Sequence, residues 1–425
     1  MKRRSMRSKF WMVLIVAFLV GSLSFSTAFA ESPARGPKSA TAEYSEYIAE
    51  EFGVRFEATV DQDAFVKALA AVKGVGTETV EGPTLIGEFD SLAAVSVALK
   101  AAGLKELAYT YPPAKIETAL KRLRVKSSSL DIKAAEELAA AVDSGLLDPS
   151  DYKGFKPTAP VSKKLAENLA GGVCVALGRY KRFIGYVSDA DILSKLAQSW
   201  ERASIIQAPA LRAVVDAALK KQLITGYNLK DSRYDPRFID RLSVTYGHSD
   251  PRHAAQLIAL MKSEGFDAKV QFEPKTSAFV YMKDWGDPGE PNDTFEVVKI
   301  ETGDWIEYAK EYDISFEFRS AEEKARFESM ILAYAKKNAK NQPGLIYGAW
   351  WQPLYYSMTE LPGYIVITNN KLASDGSFYA QSFTLKDDSP AIAAAFKDLS
   401  GGSDVRSYDF WVDEPFYRYL KGDSK

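Results

Sequence analysis

Apolar residues recur at helical spacing through the first half of the chain and at every second position through the last third. Residues 43–222 are rich in alanine, leucine and lysine, with Leu138, Val142 and Leu146 spaced four apart, which predicts mostly helix. Beyond residue 269, β-branched and aromatic residues alternate with polar ones, which predicts strands. Two further helices are predicted among these strands, from Ser320 and Ser389, each with its serine at the N-cap.

This order of elements predicts an α+β multidomain chain, in which a helical repeat region is followed by a mainly antiparallel sheet with helices on one face. The predicted divisions are a signal peptide at 1–30, a flexible leader at 31–42, the helical repeat region at 43–240, a histidine-containing helix with connecting strands at 241–299, and an α+β domain at 300–425.

The first 30 residues have the pattern of a secretory signal peptide. Five basic residues and no acidic residue precede or flank the start of the apolar run FWMVLIVAFLV, and small residues follow up to Ala30, where we expect cleavage. The next residues, GSLSFSTAF, leave open the alternative of an uncleaved membrane anchor. No later stretch approaches the length of a membrane span, so we expect none after cleavage.

Charge and cysteine usage narrow the class of protein. Of 54 basic and 56 acidic residues, 49 and 56 remain without residues 1–30, a net charge of -7, which makes nucleic acid an improbable partner. The single cysteine, Cys174, lies in an apolar run, cannot form an internal disulfide and is expected to be buried. No cofactor is indicated, and an exported bacterial protein at the cell surface or cell wall is expected.

Residues 223–236 resemble the S-layer homology repeats of bacterial surface proteins. The stretch LITGY ends in Gly226-Tyr227, and Asp231 and Pro236 fall where that family has its aspartate and proline. Residues 154–163 resemble the loop and the start of the next helix, although they lack a full T-R-A-E. The resemblance implies tandem helical hairpins that hold an anionic cell-wall polysaccharide at helix N-termini. The binding residues that it implies are Lys163, Lys164, Gly226 and Asp231.

Both histidines of the chain lie in the stretch YGHSDPRHAAQLIALMKSEGFDAKV. Asp250 or Ser249 is a suitable N-cap, Pro251 fits the first turn and Gly265 is a suitable stop, so a capped helix explains most of it. Its residues 247–270 also resemble the nucleophile helix of transglutaminase-like hydrolases, but an aspartate occupies the position of the catalytic cysteine, which excludes cysteine chemistry there. A hydrolytic or degenerate site remains an alternative, as does a weakly indicated metal site. The residues of that alternative are His248, Asp250, His253, Glu273 and Lys275.

The segment YGAWWQPLYY places two tryptophans, Trp350 and Trp351, on opposite faces of a predicted strand. One of them is either an exposed platform for a sugar ring or part of the sheet core. The function that we predict is non-catalytic attachment to, or recognition of, cell-wall polysaccharide by a secreted protein. The hydrolase is the first alternative, and a protein-interaction module that uses the aromatic sheet is the second.

Overall fold

Helices dominate the first half of the structure and strands the second. The structure is a computed structural model that describes residues 40–80, 89–335, 343–348, 354–373 and 376–422. The helices are α1 Ala40–Phe52, α2 Gln62–Lys73, α3 Ser91–Ala101, α4 Lys105–Ala108, α5 Pro113–Leu123, α6 Ile132–Asp143, α7 Lys163–Ala176, α8 Ile192–Arg202, α9 Pro209–Lys220, α10 Pro251–Ser263, α11 Ala321–Tyr334, α12 Ser389–Leu399 and α13 Glu414–Leu420. The strands are β1 Gly185–Tyr186, β2 Gly226–Asp231, β3 Ser243–His248, β4 Lys269–Tyr281, β5 Phe295–Lys299, β6 Trp305–Glu317, β7 Leu354–Ser357, β8 Ile365–Ala373, β9 Phe378–Thr384 and β10 Val405–Val412.

Eight of these strands close into an antiparallel barrel. The order around it is β4, β2, β9, β8, β10, β7, β3 and β6, and β6 then pairs with β4 along the whole length of both strands. Strand β1 adds to the start of β4, and β5 adds to the first half of β6. An eight-stranded barrel has an interior just wide enough to be filled by side chains or to hold one small ligand.

The predicted architecture, a helical repeat region followed by an open sheet, is therefore wrong. The sheet is closed, and two strands, β1 and β2, come from the part of the chain that was assigned to helical repeats. Helices cover more than one side of the barrel, whereas the prediction placed them on one face of a sheet. The error has a physical cause: alternation of apolar and polar residues shows that a strand has two faces, but not that its polar face is enclosed by other strands.

The outer wall of the barrel is apolar and packs against helices. One layer joins outward residues such as Val270, Phe272 and Ile314 to α8, α10 and α11. A second layer joins outward residues such as Leu229 and Ala380 to α9 and α12. Because successive side chains of a strand point to opposite faces, the residues between these apolar positions point into the barrel.

Helices α1–α7 surround a separate apolar core and contact one end of the barrel. The residues of this core include Phe65, Leu99 and Leu169, and Ile239 joins it from the segment before β3. Two ion pairs connect the two parts of the structure: Lys181 Nζ lies 2.6 Å from Glu317 Oε1, and Lys269 Nζ lies 2.9 Å from Glu43 Oε1.

The predicted signal peptide and most of the predicted leader lie outside the described residues. Helix α1 begins at Ala40, so the last three residues of that leader are helical. Over the described part of the chain, no helix combines the length and the apolar character that crossing a membrane requires.

Candidate functional site

Four charged side chains are buried together inside the barrel. Lys230 of β2 donates hydrogen bonds to Glu273 Oε2 at 2.7 Å and to Asp313 Oδ2 at 2.9 Å. Lys275 donates to Asp313 Oδ1 at 2.8 Å, and Ser315 donates to Glu273 Oε1. Two of these side chains are cations and two are carboxylates, so the group has no net charge when all four are ionised. We call the group the ionic tetrad: Lys230, Glu273, Lys275 and Asp313.

Three members of the ionic tetrad, Lys230, Lys275 and Asp313, are held in their charged form by the other members, whereas burial raises the pKa of Glu273 despite the neighbouring Lys230. Burial alone would raise the pKa of Asp313, but Lys230 and Lys275 outweigh burial and lower it to about 2. Burial opposes the charge of Lys230 in the same way, and the carboxylates of Asp313 and Glu273 hold its pKa well above the ordinary value. Each charge already has a counter-charge, so none of the four is a free acid or base for catalysis.

Two amide side chains, from β8 and β9, also point into the barrel. Asn369 of β8 donates from Nδ2 to Gln381 Oε1 at 3.2 Å and to the Tyr408 hydroxyl at 2.8 Å. Asn369 is 3% exposed and Gln381 is 4% exposed. Among the described residues, Asn369 Oδ1 accepts no hydrogen bond and Gln381 Nε2 donates none. We call these two side chains the amide pair.

The presence of one unpaired donor and one unpaired acceptor does not depend on how the oxygen and nitrogen atoms of the two amide groups are assigned. If both amide groups are rotated by half a turn, Gln381 Nε2 donates to Asn369 Oδ1, and the Tyr408 hydroxyl can donate to the same oxygen. One N–H donor group and one C=O acceptor still remain without a partner. Since a buried polar group without a hydrogen bond costs about 1 to 3 kcal/mol, the amide pair has the chemistry of a site that binds a donor and an acceptor together.

The two histidines lie outside the barrel, under the start of α10. Their rings stack with centroids 4.2 Å apart. His248 Nδ1 accepts from the Asp250 backbone N–H at 2.8 Å, so its Nε2 carries the proton and faces Gly348 O at 3.4 Å. His253 Nδ1 donates to Tyr347 O at 2.6 Å, and its Nε2 accepts from the Tyr246 hydroxyl.

Burial keeps both rings neutral. It lowers the pKa of His248 to about 4 and, together with the neighbouring His248 ring, lowers the pKa of His253 to about 3. Asp250 caps α10 by accepting from the Arg252 backbone N–H at 2.8 Å and also pairs with the Arg252 guanidinium. The predicted helix caps at Asp250, Pro251 and Gly265 are confirmed. The histidines have the contacts of a buried structural pair.

The structure does not bring the residues of the hydrolase alternative together. His248 and Tyr312 are cross-strand neighbours on the outer face of the barrel, whereas Glu273 and Asp313 are cross-strand neighbours on the inner face. The wall of the barrel therefore separates the histidines from Glu273 and Lys275. Within the described residues, no group of three or more histidine, cysteine, aspartate or glutamate side chains is arranged to hold a metal ion.

The residues taken from the repeat resemblance are dispersed. Lys163 and Lys164 are at the start of α7 with their side chains about half exposed, and Lys164 Nζ lies 2.7 Å from Asp151 Oδ1. Gly226 and Asp231 are the first and last residues of strand β2, in the barrel wall. Asp231 caps the turn that follows and pairs with Arg233. These four residues do not form one surface.

Three predicted residues remain, Cys174 and the two tryptophans of the segment YGAWWQPLYY. Cys174 is fully buried in the helical core, and burial raises the pKa of its thiol to about 12, so it is not a nucleophile. Trp350 and Trp351 lie outside the described residues.

Sequence reasoning missed the amide pair. Asn369 and Lys371 share one face of β8, and Tyr379 and Gln381 share one face of β9, so period-two alternation was visible in both segments. That pattern is equally typical of a strand with one face in solvent. Only the closure of the barrel shows that these polar residues are enclosed.

Comparisons with known proteins do not assign this chain to a family. No protein-family model matches it, and no curated protein or solved structure matched it.

Proposed function

We propose that the protein is a non-catalytic binding protein of the bacterial cell envelope, and that its barrel interior recognises a saccharide. The observation that carries the proposal is the amide pair: two buried side chains that are hydrogen-bonded to each other and that keep one donor and one acceptor without a partner among the described residues. Vicinal hydroxyl groups of a sugar match this arrangement, because each hydroxyl both donates and accepts a hydrogen bond.

The contacts of the ionisable groups favour binding over catalysis. The ionic tetrad is internally paired, and the two histidines are neutral, hydrogen-bonded and on the other side of the barrel wall. A general acid or base must be free to take up or release the proton that it transfers, whereas each of these groups is already bonded to partners within the protein. The ligand class and the export of the chain follow the sequence-based expectation of a cell-wall polysaccharide.

A titration of purified bacterial cell-wall saccharide fragments against the full chain tests this proposal. We expect saturable binding that is lost in the double variant Asn369→Leu/Gln381→Met, since the apolar side chains cannot form hydrogen bonds to hydroxyl groups. The matched control is Ser382→Ala, on the opposite face of the same strand, where Ser382 donates to Gly226 O at 2.9 Å. It should bind normally.

Two results would overturn the proposal. One is the absence of saccharide binding by the natural sequence. The other is equal binding by the natural sequence and the double variant, which would place the ligand elsewhere on the protein.

A further inference from the structure

Two cationic side chains face each other at the rim of the barrel, next to the amide pair. Lys371 of β8 is the direct cross-strand partner of Arg406 of β10. Lys371 is also the cross-strand partner of Gln381, and it lies two residues from Asn369, so all four side chains share the inner face. Like charges at directly opposite positions destabilise a sheet.

Neither cation has a close carboxylate partner among the described residues, although Lys371 Nζ lies 3.4 Å from the centroid of the Tyr379 ring. Lys371 Nζ is 3.9 Å from Asp235 Oδ2, at the limit of an ion pair, while the other carboxylate oxygen of Asp235 accepts from the Tyr379 hydroxyl at 2.8 Å. Arg406 lies over the Tyr408 ring at 5.6 Å, and it forms no ion pair with any residue that the structure describes.

The environment of Lys371 is unfavourable for its charge. Burial lowers the pKa of Lys371, and the positive charges of Lys230 and Arg406 lower it further, while Asp235 and Glu273 oppose this. An anion bound beside Lys371 would remove this penalty. The ionic tetrad offers no such place, because its charges are balanced.

The rim is open to solvent at this point. The Lys371 and Asp235 side chains are 28% and 29% exposed, and Arg406 is exposed, whereas the amide pair is buried. The two cations are therefore accessible to solvent, whereas the amides are not. A ligand that contacts both must carry its charge at one end and its neutral polar groups at the other.

We propose that Lys371 and Arg406 form an anion subsite that holds the carboxylate of an acidic saccharide, whose hydroxyl groups bind the amide pair. This inference rests on the proposed function and names the ligand class of the same site. Among the described residues, Asp235 is the one carboxylate within ion-pair distance of these two cations, which leaves one positive charge for a single ligand carboxylate. The planar guanidinium of Arg406 can donate two parallel hydrogen bonds to the two oxygens of such a group.

The test compares the affinities of the full chain for two forms of one ligand. The probe is a set of fragments from a uronic-acid-containing bacterial cell-wall polysaccharide, used as isolated and after chemical reduction of the carboxyl groups to alcohols. Reduction removes the charge and leaves the ring hydroxyl groups in place. We expect the acidic fragments to bind about tenfold more tightly than the reduced ones, the effect of one good charged contact.

Single variants test whether the preference for acidic fragments depends on Lys371 and Arg406. Arg406→Gln and Lys371→Gln should each weaken the binding of the acidic fragments several-fold, towards that of the reduced fragments, with little change for the reduced fragments themselves. Lys397→Gln is the matched control, because Lys397 is exposed in the last turn of α12 on the outside of the barrel. It removes the same charge and should keep the full preference.

The outcomes separate the two proposals. Equal affinity for acidic and reduced fragments would overturn the anion subsite and leave saccharide binding in place. A preference that persists in both rim variants would also overturn it. Binding of neither form would overturn the proposed function together with the subsite.

Discussion

The amide pair is the residue-scale feature on which the functional account depends. Asn369 and Gln381 are buried, hydrogen-bonded to each other, and left with one donor and one acceptor unpaired among the described residues. A purely structural pair in a folded protein is normally satisfied, because each unpaired buried group lowers stability. Binding sites tolerate this cost, since the ligand supplies the missing hydrogen bonds.

The double variant Asn369→Leu/Gln381→Met should therefore be more stable than the natural sequence. Replacement of both amides by apolar side chains of similar shape removes the unpaired groups, but the Tyr408 hydroxyl loses its hydrogen bond from Asn369, so we expect the free energy of unfolding to rise by at most about 1 kcal/mol. Urea unfolding in the absence of ligand measures it. Ser382→Ala, which removes a satisfied buried hydroxyl, should instead lower the stability by about 1 kcal/mol. A clear loss of stability in the double variant would show that the amide pair is structural.

The histidines give a prediction about acid stability. Burial lowers the pKa of His248 from 6.5 to about 4 and that of His253 from 6.5 to about 3. The unfolded chain therefore binds more protons than the folded chain between these values and 6.5. The stabilisation is complete above pH 6.5 and is lost as the pH falls, by up to about 1.4 kcal/mol per pH unit for each histidine.

His253→Gln should flatten this pH dependence. We expect the variant to be less stable near neutral pH, because the contacts to Tyr246 and Tyr347 change, and to lose less stability on acidification. Urea unfolding between about pH 7 and about pH 4.5 gives both the stability near neutral pH and its loss on acidification. The control is Lys262→Gln, which changes an exposed residue of the same helix. Parallel pH profiles for His253→Gln and the natural sequence would contradict the assignment of neutral buried rings.

At the scale of elements, the helices were predictable and the barrel was not. Helix α10 has its N-cap, proline and terminal glycine in sequence, and Ser320 caps α11 as predicted, because such signals are local. Strand β2 was missed because Leu223 and Ile224 follow a helix, and the short run after them resembles the loop of a helical repeat. Its strand conformation depends on β4 and β9, which lie far away in sequence.

The ionic tetrad joins three strands, β2, β4 and β6, and supplies a prediction at this scale. Asp313→Asn removes the carboxylate shared by Lys230 and Lys275 and leaves buried positive charge with too few partners. We expect a loss of about 3 to 5 kcal/mol in the free energy of unfolding. Asp398→Asn, in the exposed last turn of α12, is a control that should change stability little.

Denaturant unfolding monitored by tryptophan fluorescence measures both variants. A stability for Asp313→Asn within about 0.5 kcal/mol of the natural sequence would contradict the arrangement of charges inside the barrel. Conversion of Lys230 and Asp313 together to neutral side chains should be less harmful than the sum of the single changes, because the two residues interact directly.

At the scale of the whole molecule, the two ends of the barrel interior differ in polarity: one end is apolar and the other carries cationic side chains. Near β7, β8 and β10, one part of the interior is apolar, with Ile367, Phe410 and Val412 packed against Phe416 of α13. At the other end are the rim cations Lys371 and Arg406, and the same end of the barrel carries the ion pairs to the helical part of the chain. A ligand that reaches the amide pair would enter at the rim.

The composition and charge of the chain could not reveal this arrangement. The sequence shows that strands are present and which residues alternate along them, but the enclosure of Asn369 and Gln381 follows from long-range pairing alone. Helical repeats were predicted because alanine-rich helices and glycine-containing loops do recur in residues 43–222. The repeat resemblance remains untested by the comparisons, while the architecture that it implied was wrong.

The most direct test of the account is a crystal structure of the full chain soaked with an acidic cell-wall saccharide fragment. We expect density for one sugar unit at the barrel rim, with hydroxyl oxygens within hydrogen-bonding distance of Asn369 and Gln381 and a carboxylate between Lys371 and Arg406. Density for the fragment elsewhere on the protein, with the amide pair unchanged, would contradict it.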